Sequence, residues 1–394
     1  MPESARIDVQ RARADTPGCT KVAHLNNAGS SLPPTPVLEA VIAHLRREAE
    51  IGGYEAEDEA HERIEATYAS IAWLLGCNPD EVALVENATR AWDMAFYAFR
   101  FGPGDRILIG RAEYASNYIA FTQVAQRTGA EVEIVPDDEY GQMDGAALAR
   151  LLDERVKLVS VVHVPTQSGL VNPAAEMGRL TSAAGVPLLL DACQSTGQLP
   201  LDVTELGCDV LSATGRKFLR GPRGTGFLYV RRGLLERLEP PLLDGHAAEW
   251  QEEGGYRIRD DARRFENWES YVAGKLGLGA AVDYAMELGL DPIRERVQAL
   301  AAQLRERLDE LPGVTVRDRG RELAAIVTFT RDGFTAEEIK AALAAAHVNV
   351  TVSAASWSRL DLGSRGLDAV VRASVHYFND DGELDRLVGV VASL

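Results

Sequence analysis

The sequence contains no apolar run near the roughly 20 residues that a bilayer-crossing helix needs, so nothing in it reads as a membrane span. Cysteine is scarce. Cys19, Cys77, Cys193 and Cys208 form no CxxC pair, and no histidines stand at metal-ligand spacing. That argues against a disulfide framework or a zinc centre and leaves reduced thiols. Positive charge is also short, with 41 Lys and Arg against 59 Asp and Glu and a net charge of -18. Such a surface repels phosphate backbones, so nucleic acid is not an expected partner, and any anionic ligand must be met by local cations. The first 21 residues carry Arg6, Arg11 and Arg13 but no apolar core segment. They do not read as a secretory leader, and a cytoplasmic protein is expected.

The rest is ordinary for a globular chain: 394 residues, 46% hydrophobic and 25% charged, enough for a large domain with a smaller one beside it. A run from Pro36 to about Glu50 is patterned as a helix. Another covers Ala60 to Leu75, closing at Gly76 with Pro79 beyond. Short apolar runs then recur with helical segments between them: 82–85, 106–109, 132–135, 158–162, 187–190, 210–211 and 227–230. This alternation predicts an α/β fold with a mainly parallel sheet covered on both faces. From about Asp291 the pattern changes to a charged helix, strands near 314–316, 325–330, 348–352 and 370–377, a helix over 335–346 and a last helix, which reads as a compact two-layer unit. The segment Gly245 to Glu269 is irregular, with Trp250, Tyr256, Phe265 and Trp268, and is long enough to be functional.

In parallel sheets ligands sit at the carboxyl ends of the strands. The residues following each run are polar: Asn87 and Thr89, Glu113 to Asn117, His163 to Gly169, Asp191 to Gln194 and Thr214 to Lys217. Asn87 and Thr89 open a helix, where free backbone donors make an anion site, although Asn87 is equally an ordinary cap. Asp191 ends a buried run and there needs a cationic partner, unless it too only caps a helix. Lys217 lies one β-α-β unit further on, before a glycine-punctuated turn and a second apolar run. A desolvated lysine loses its proton readily and is a carbonyl-binding nucleophile; a solvated lysine on a plain strand-turn-strand is the other reading of that stretch alone. Together, a buried acid and a nucleophilic lysine suit pyridoxal phosphate, whose protonated ring accepts the electron pair of a carbanion at the substrate Cα.

The ordered set Leu25 to Gly29, Glu86 to Ala91, Glu113 to Asn117, His163 to Gly169, Asp191 to Ser195, Ser212 to Gly226 and Val371 to Tyr377 resembles the class V aminotransferase family of fold-type I pyridoxal phosphate enzymes. Within it the chain is most similar to the branch of cysteine desulfurase-like carbon-sulfur lyases, isopenicillin N epimerase and the ergothioneine-pathway lyase. The resemblance implies a large, mainly parallel seven-stranded sheet domain over 26–290, a small C-terminal α/β domain over 291–394 and an arm, 1–25, joining the small domain. It implies a homodimer with shared active sites. It assigns Lys217 as the covalent carrier of the cofactor, Asp191 as partner of the ring nitrogen and Gln194 as donor to the ring hydroxyl oxygen. Ala88, Thr89, Thr214 and Arg216 would meet the phosphate, and Tyr114 would stack on the ring, although Tyr114 also fits a core aromatic. Thr166 stands where relatives often have asparagine, and Arg216 where they have histidine. Arg372 would grip the substrate α-carboxylate, unless it is a solvated strand arginine, and Asn27, Ala28 and Gly29 would line the substrate side. Trp268 and Ser270 would reach a neighbouring subunit's cofactor; a turn packed on its own chain is the plainer reading.

Desulfurases of this family carry a persulfide on a cysteine before the C-terminal arginine, and here Ser353 to Gly366 contains none. The expected activity is therefore a carbon-sulfur lyase on a cysteine derivative without a persulfide cysteine. An epimerase or aminotransferase for a larger amino acid, served by Trp250, Trp268 and Trp357, is the alternative, and a non-catalytic cofactor-binding protein the remote one.

Overall fold

The computed structural model describes residues 7–252 and 254–394; Arg6, with the other residues of 1–6, and residue 253 lie outside the described part. Seven strands build the central sheet: β1 (Val82–Val85), β2 (Arg106–Ile109), β3 (Glu131–Ile134), β4 (Val156–Val162), β5 (Leu188–Asp191), β6 (Val210–Thr214) and β7 (Gly226–Val230). Their order is β1-β7-β6-β5-β4-β2-β3, and only β7 runs antiparallel to its neighbours. Strands β5, β6 and β7 are buried along their whole length, which is why their sequences do not alternate between apolar and polar and carry their polar residues, such as Asp191 and Thr214, mainly at the carboxyl ends. The carboxyl ends of β1, β2, β4, β5 and β6 therefore share one edge.

Ahead of the sheet, α1 (Val9–Ala14) starts on Asp8, whose side chain accepts the Arg11 N–H. Two long helices follow, α2 (Thr35–Ile51) and α3 (Gly53–Leu75), broken only by Gly52 at φ 106. Thus α3 begins seven residues before the apolar periodicity does, because its first two turns bury only the small Ala56 and otherwise carry polar residues such as Glu55, Glu57 and Asp58. It ends as expected at Gly76, in the left-handed region. Helix α4 (Ala88–Phe96) leaves β1, and α5 (Ala115–Thr128) follows β2.

The C-terminal part places α6 (Val272–Leu288) against α2 and α3, then α7 (Leu290–Asp309). Between β7 and α6, the stretch expected to be irregular contains a hairpin, β8 (Ala248–Trp250) and β9 (Tyr256–Ile258). Gly254 and Gly255, which lead into β9, are both at positive φ, a conformation that hydrophobic patterning does not reveal. A second, antiparallel sheet has the order β10-β11-β13-β12, from Val314–Val316, Ile326–Arg331, Ala369–Ser374 and Thr351–Ala354. The arm pairs with this part through Ala23↔Val348 and His24↔Asn349. Ala324 N–H donates to Gly169 O at 2.7 Å and Val171 N–H to Glu322 O at 3.1 Å, so the second sheet is sewn to the loop leaving β4. No described helix is long and apolar enough to cross a membrane.

Two packing features fix the turn after β6. Gly197 (φ 90) lies so close that a Cβ there would sit 2.4 Å from the Phe218 carbonyl carbon. Arg220 is fully buried in the left-handed region (φ 63) and donates to Leu32 O, to the Tyr377 hydroxyl and to Thr16 Oγ1. It has no carboxylate partner among the described residues, and its guanidinium lies 4.5 Å from the Phe378 ring centroid.

Candidate active site

At the shared strand edge is a cavity of about 280 Å³, lined by residues from five separate segments, among them Ala88, Thr89, Tyr114, Asp191, Thr214 and Lys217. Each arrives by a simple device. Ala88 and Thr89 open α4, whose cap, Asn87, is used by the Arg90 N–H at 2.9 Å; the first-turn donors of such a helix lack intrahelical partners. Asp191 is the last residue of β5, and Thr214, the last of β6, donates to Thr225 O across the turn. Lys217 follows in a tight loop closed by Gly221 N–H to Gly215 O at 2.7 Å and Arg220 N–H to Lys217 O at 2.9 Å.

Electrostatically the cavity is uneven. Asp191 is buried, with Oδ1 accepting the Cys193 N–H at 3.0 Å and Oδ2 accepting from Asn117 Nδ2 at 3.0 Å. Gln194 donates through Nε2 to Ala28 O and to Thr166 Oγ1, both at 3.0 Å, while its buried Oε1 has no protein partner. Arg216 donates to Gly29 O, and no carboxylate pairs with it among the described residues. Arg372, from β13, donates to the Thr166 carbonyl at 3.0 Å and to the Thr166 hydroxyl, and reaches Asn26 Oδ1 at 3.4 Å. It too has no carboxylate partner among the described residues, and its Nε is buried and unpartnered. Burial, and then the charge of Arg216, push its pKa down to about 10. Two guanidiniums are thus held without counter-ions in an acidic protein, which is what an anionic ligand requires.

Ala88, Thr89, Tyr114, Thr166, Asp191, Gln194, Thr214, Arg216 and Lys217 thus share one cavity. Ala28 and Gly29 adjoin it through their carbonyls. Asn27 does not face it: the side chain is wholly buried, donating to His24 O and Ser374 O and accepting from Ser31 Oγ. The neighbouring Asn26 is the one that meets Arg372. Trp268 and Ser270 lie elsewhere, in a broad depression with Tyr54, Glu55 and Asp58. Trp250, Trp268 and Trp357, offered above for a larger substrate, are exposed, and none lines the cavity. Sequence reasoning missed Cys193, whose Sγ is 3.1 Å from Lys217 Nζ, and whose thiol burial pushes towards the protonated form. It also missed Asn117, although both lie inside motifs it had singled out. His163, by contrast, is a buried residue outside the cavity lining, held neutral by desolvation with its pKa down to about 4.

Such a cavity fits a ligand with an aldehyde for the amine, a ring nitrogen for the buried carboxylate, an oxygen for the glutamine and an anion for the helix end. Those are the features of pyridoxal phosphate, and the protein is an enzyme dependent on that cofactor. The family model described as aminotransferase class-V matches residues 23–387, and the chain belongs to that family. It is 30% identical over 405 aligned positions to a protein of Halobacterium salinarum named "Probable cysteine desulfurase", covering 99% of this chain and 97% of that one. An apo cysteine desulfurase structure from Thermococcus onnurineus NA1 superposes with a TM-score of 0.90 at 26% identity, covering 99% of this chain and 98% of that one. The structure of a cystine C-S lyase, C-DES, with its product cysteine persulfide gives 0.87 at 24% identity over 96% of this chain and 99% of that one, a likeness of fold.

Proposed function

We propose that the protein is a carbon-sulfur lyase that cleaves the Cβ–S bond of a cysteine derivative and places no persulfide on a cysteine of its own 353–366 segment. Two facts support this reading: relatives across the full chain are named cysteine desulfurases, and that segment holds no thiol. The observation that carries it is a lysine amine at the cavity together with a buried Arg372, without a carboxylate partner among the described residues, that donates to Thr166 of the same cavity lining.

In this reading the cofactor, when bound, supplies the electron sink for the pair left at Cα. Lys217 Nζ would carry it at rest and, once displaced by the substrate amine, would be free to take the Cα proton, while the Asp191 carboxylate would hold the proton on the ring nitrogen. Gln194 would steady the ring oxygen, Ala88, Thr89, Thr214 and Arg216 would hold the phosphate, and Tyr114 would lie against the ring. Arg372 fixes the α-carboxylate with the turn Asn26 to Gly29 behind it. As the Cβ–S bond breaks its electron pair leaves with sulfur, and the released enamine hydrolyses to a keto acid and ammonia. The chain is divided as 1–25, 26–290 and 291–394, and the setting is cytoplasmic.

Purified holoenzyme given cysteine, cystine or sulfur conjugates of cysteine is expected to release pyruvate and ammonia in equal amounts, with no mass added to the protein. Exchange of the Cα hydrogen with solvent without ammonia release would replace the lyase by an epimerase. Conversion of the cofactor to its amine form would indicate an aminotransferase.

The same reading makes the enzyme a homodimer in which Trp268 and Ser270 attend the neighbouring site. It is supported by the exposure of Tyr54, Trp268 and Tyr271 around one depression. Sedimentation velocity is expected to show a dimer, and Trp268→Ala to weaken it; a fully active monomer would remove this part of the proposal.

A further inference from the structure

Behind Asp191 stands a second carboxyl group with no role in the chemistry above. Glu113 is 4% exposed, and its Oε1 accepts the Tyr114 N–H at 2.7 Å and Asn117 Nδ2 at 2.9 Å. The same Asn117 Nδ2 group donates to Asp191 Oδ2 at 3.0 Å. One amide thus spans two buried carboxyl groups that approach the cavity from different strands, β2 and β5. The Asn117 side chain lies one turn into α5, so without Glu113 nothing described holds its amide towards Asp191 rather than along the helix. The other Glu113 oxygen, Oε2, is buried without a partner. Burial pushes the carboxyl up to about 8, with a smaller push in the same direction from Asp191. At neutral pH Glu113 is therefore mostly protonated: its carbonyl oxygen accepts both bonds, and it adds little charge beside Asp191.

Resting on the pyridoxal phosphate reading of the cavity, we propose that Glu113 is a positioning residue. Acting through Asn117, it aims Asp191 at the ring nitrogen of the cofactor and so governs how firmly that nitrogen keeps its proton. Among the described residues Asp191 has two hydrogen-bond contacts, the Cys193 N–H and this amide. Losing one frees the carboxylate to rotate about its terminal torsion, which is broad and weakly restrained.

The deciding test is the spectrum of the holoenzyme without substrate, whose outcome does not depend on which bond the enzyme breaks, and turnover is read beside it. Glu113→Leu is expected to shift the visible absorption maximum of the bound cofactor and to lower kcat by about 100-fold with little change in KM, the scale of a misplaced catalytic group. Glu113→Gln, the isostere of the protonated acid, is expected to restore both. Asn117→Ala is expected to reproduce the shift, and Glu113→Leu added to it to contribute nothing more. If Glu113→Leu does not fold, Asn117→Ala alone decides, because it leaves Glu113 and its bond to Tyr114 N–H in place. An unshifted spectrum in Asn117→Ala overturns the proposal, as do independent, additive effects of the two substitutions or a failure of Glu113→Gln to restore the spectrum.

Discussion

Lys217→Ala is expected to fold, to bind pyridoxal phosphate without a covalent bond and to turn over no substrate. The amine sits at the end of a loop whose shape is set by backbone bonds, Gly221 to Gly215 and Arg220 to Lys217, none of which needs the side chain. Its only described side-chain contact is Cys193 Sγ at 3.1 Å, so truncation leaves a small gap rather than an unpaired charge. Against this small structural cost stands the loss of both the covalent anchor and the proton acceptor. General-base removal alone is worth about 100- to 10,000-fold, and the two losses fall on the same step. The measurement is borohydride reduction followed by peptide mass analysis: wild type should carry the reduced cofactor on the peptide containing Lys217, and the variant should carry none. Turnover in the variant within about tenfold of wild type would show that another group is the base.

Arg372→Met should lower kcat/KM by about 30- to several-thousandfold, corresponding to about 2–5 kcal/mol for truncating one side of a buried charge pair. The same change should leave the apo protein at least as stable as wild type. The sign follows from the depressed pKa of about 10. The folded chain holds this proton less tightly than the unfolded chain does, so the buried guanidinium opposes folding at every pH below about 10, and the opposition fades only above it. At neutral pH methionine removes that opposition while filling similar space. Calorimetry of the apo protein checks stability, and a non-reacting amino acid should raise the melting temperature of wild type but not of the variant. Arg372→Lys should rescue little, since a point charge lacks the planar fork that meets a carboxylate with two parallel bonds. A clear drop in apo melting temperature would mean that the contacts to Thr166 and Asn26, rather than a waiting charge, are what Arg372 is for.

Much of this architecture was readable in advance. The seven strand runs are legible because strands buried on both faces need continuous apolar sequence, and Gly76 announces the end of α3. The lysine, the acid and the residues at helix α4 are legible because each follows such a run. What escaped depends on direction rather than composition. Asn26 and Asn27 are chemically identical neighbours in a turn, and only the fold decides which one turns inward to Ser374 and which meets Arg372. Cys193 reads as an inert thiol until β5 and β6 bring it against Lys217. Glu113 reads as one more acid in an acidic chain; its significance lies in burial and in a shared amide 74 residues in sequence from Asp191. The β8–β9 hairpin is invisible to periodicity because its strands are three residues each and largely exposed.

Arg220 ties the shape of the lysine-bearing turn to distant parts of the sequence. Its three hydrogen-bond partners are 204, 188 and 157 residues away in sequence, at Thr16, Leu32 and Tyr377. An unpaired guanidinium forced into a left-handed backbone does not settle there by local preference, and contacts closing such long loops form late. The turn that carries Lys217 is thus braced at once by the first 32 residues and by Tyr377, segments that lie at opposite ends of the sequence.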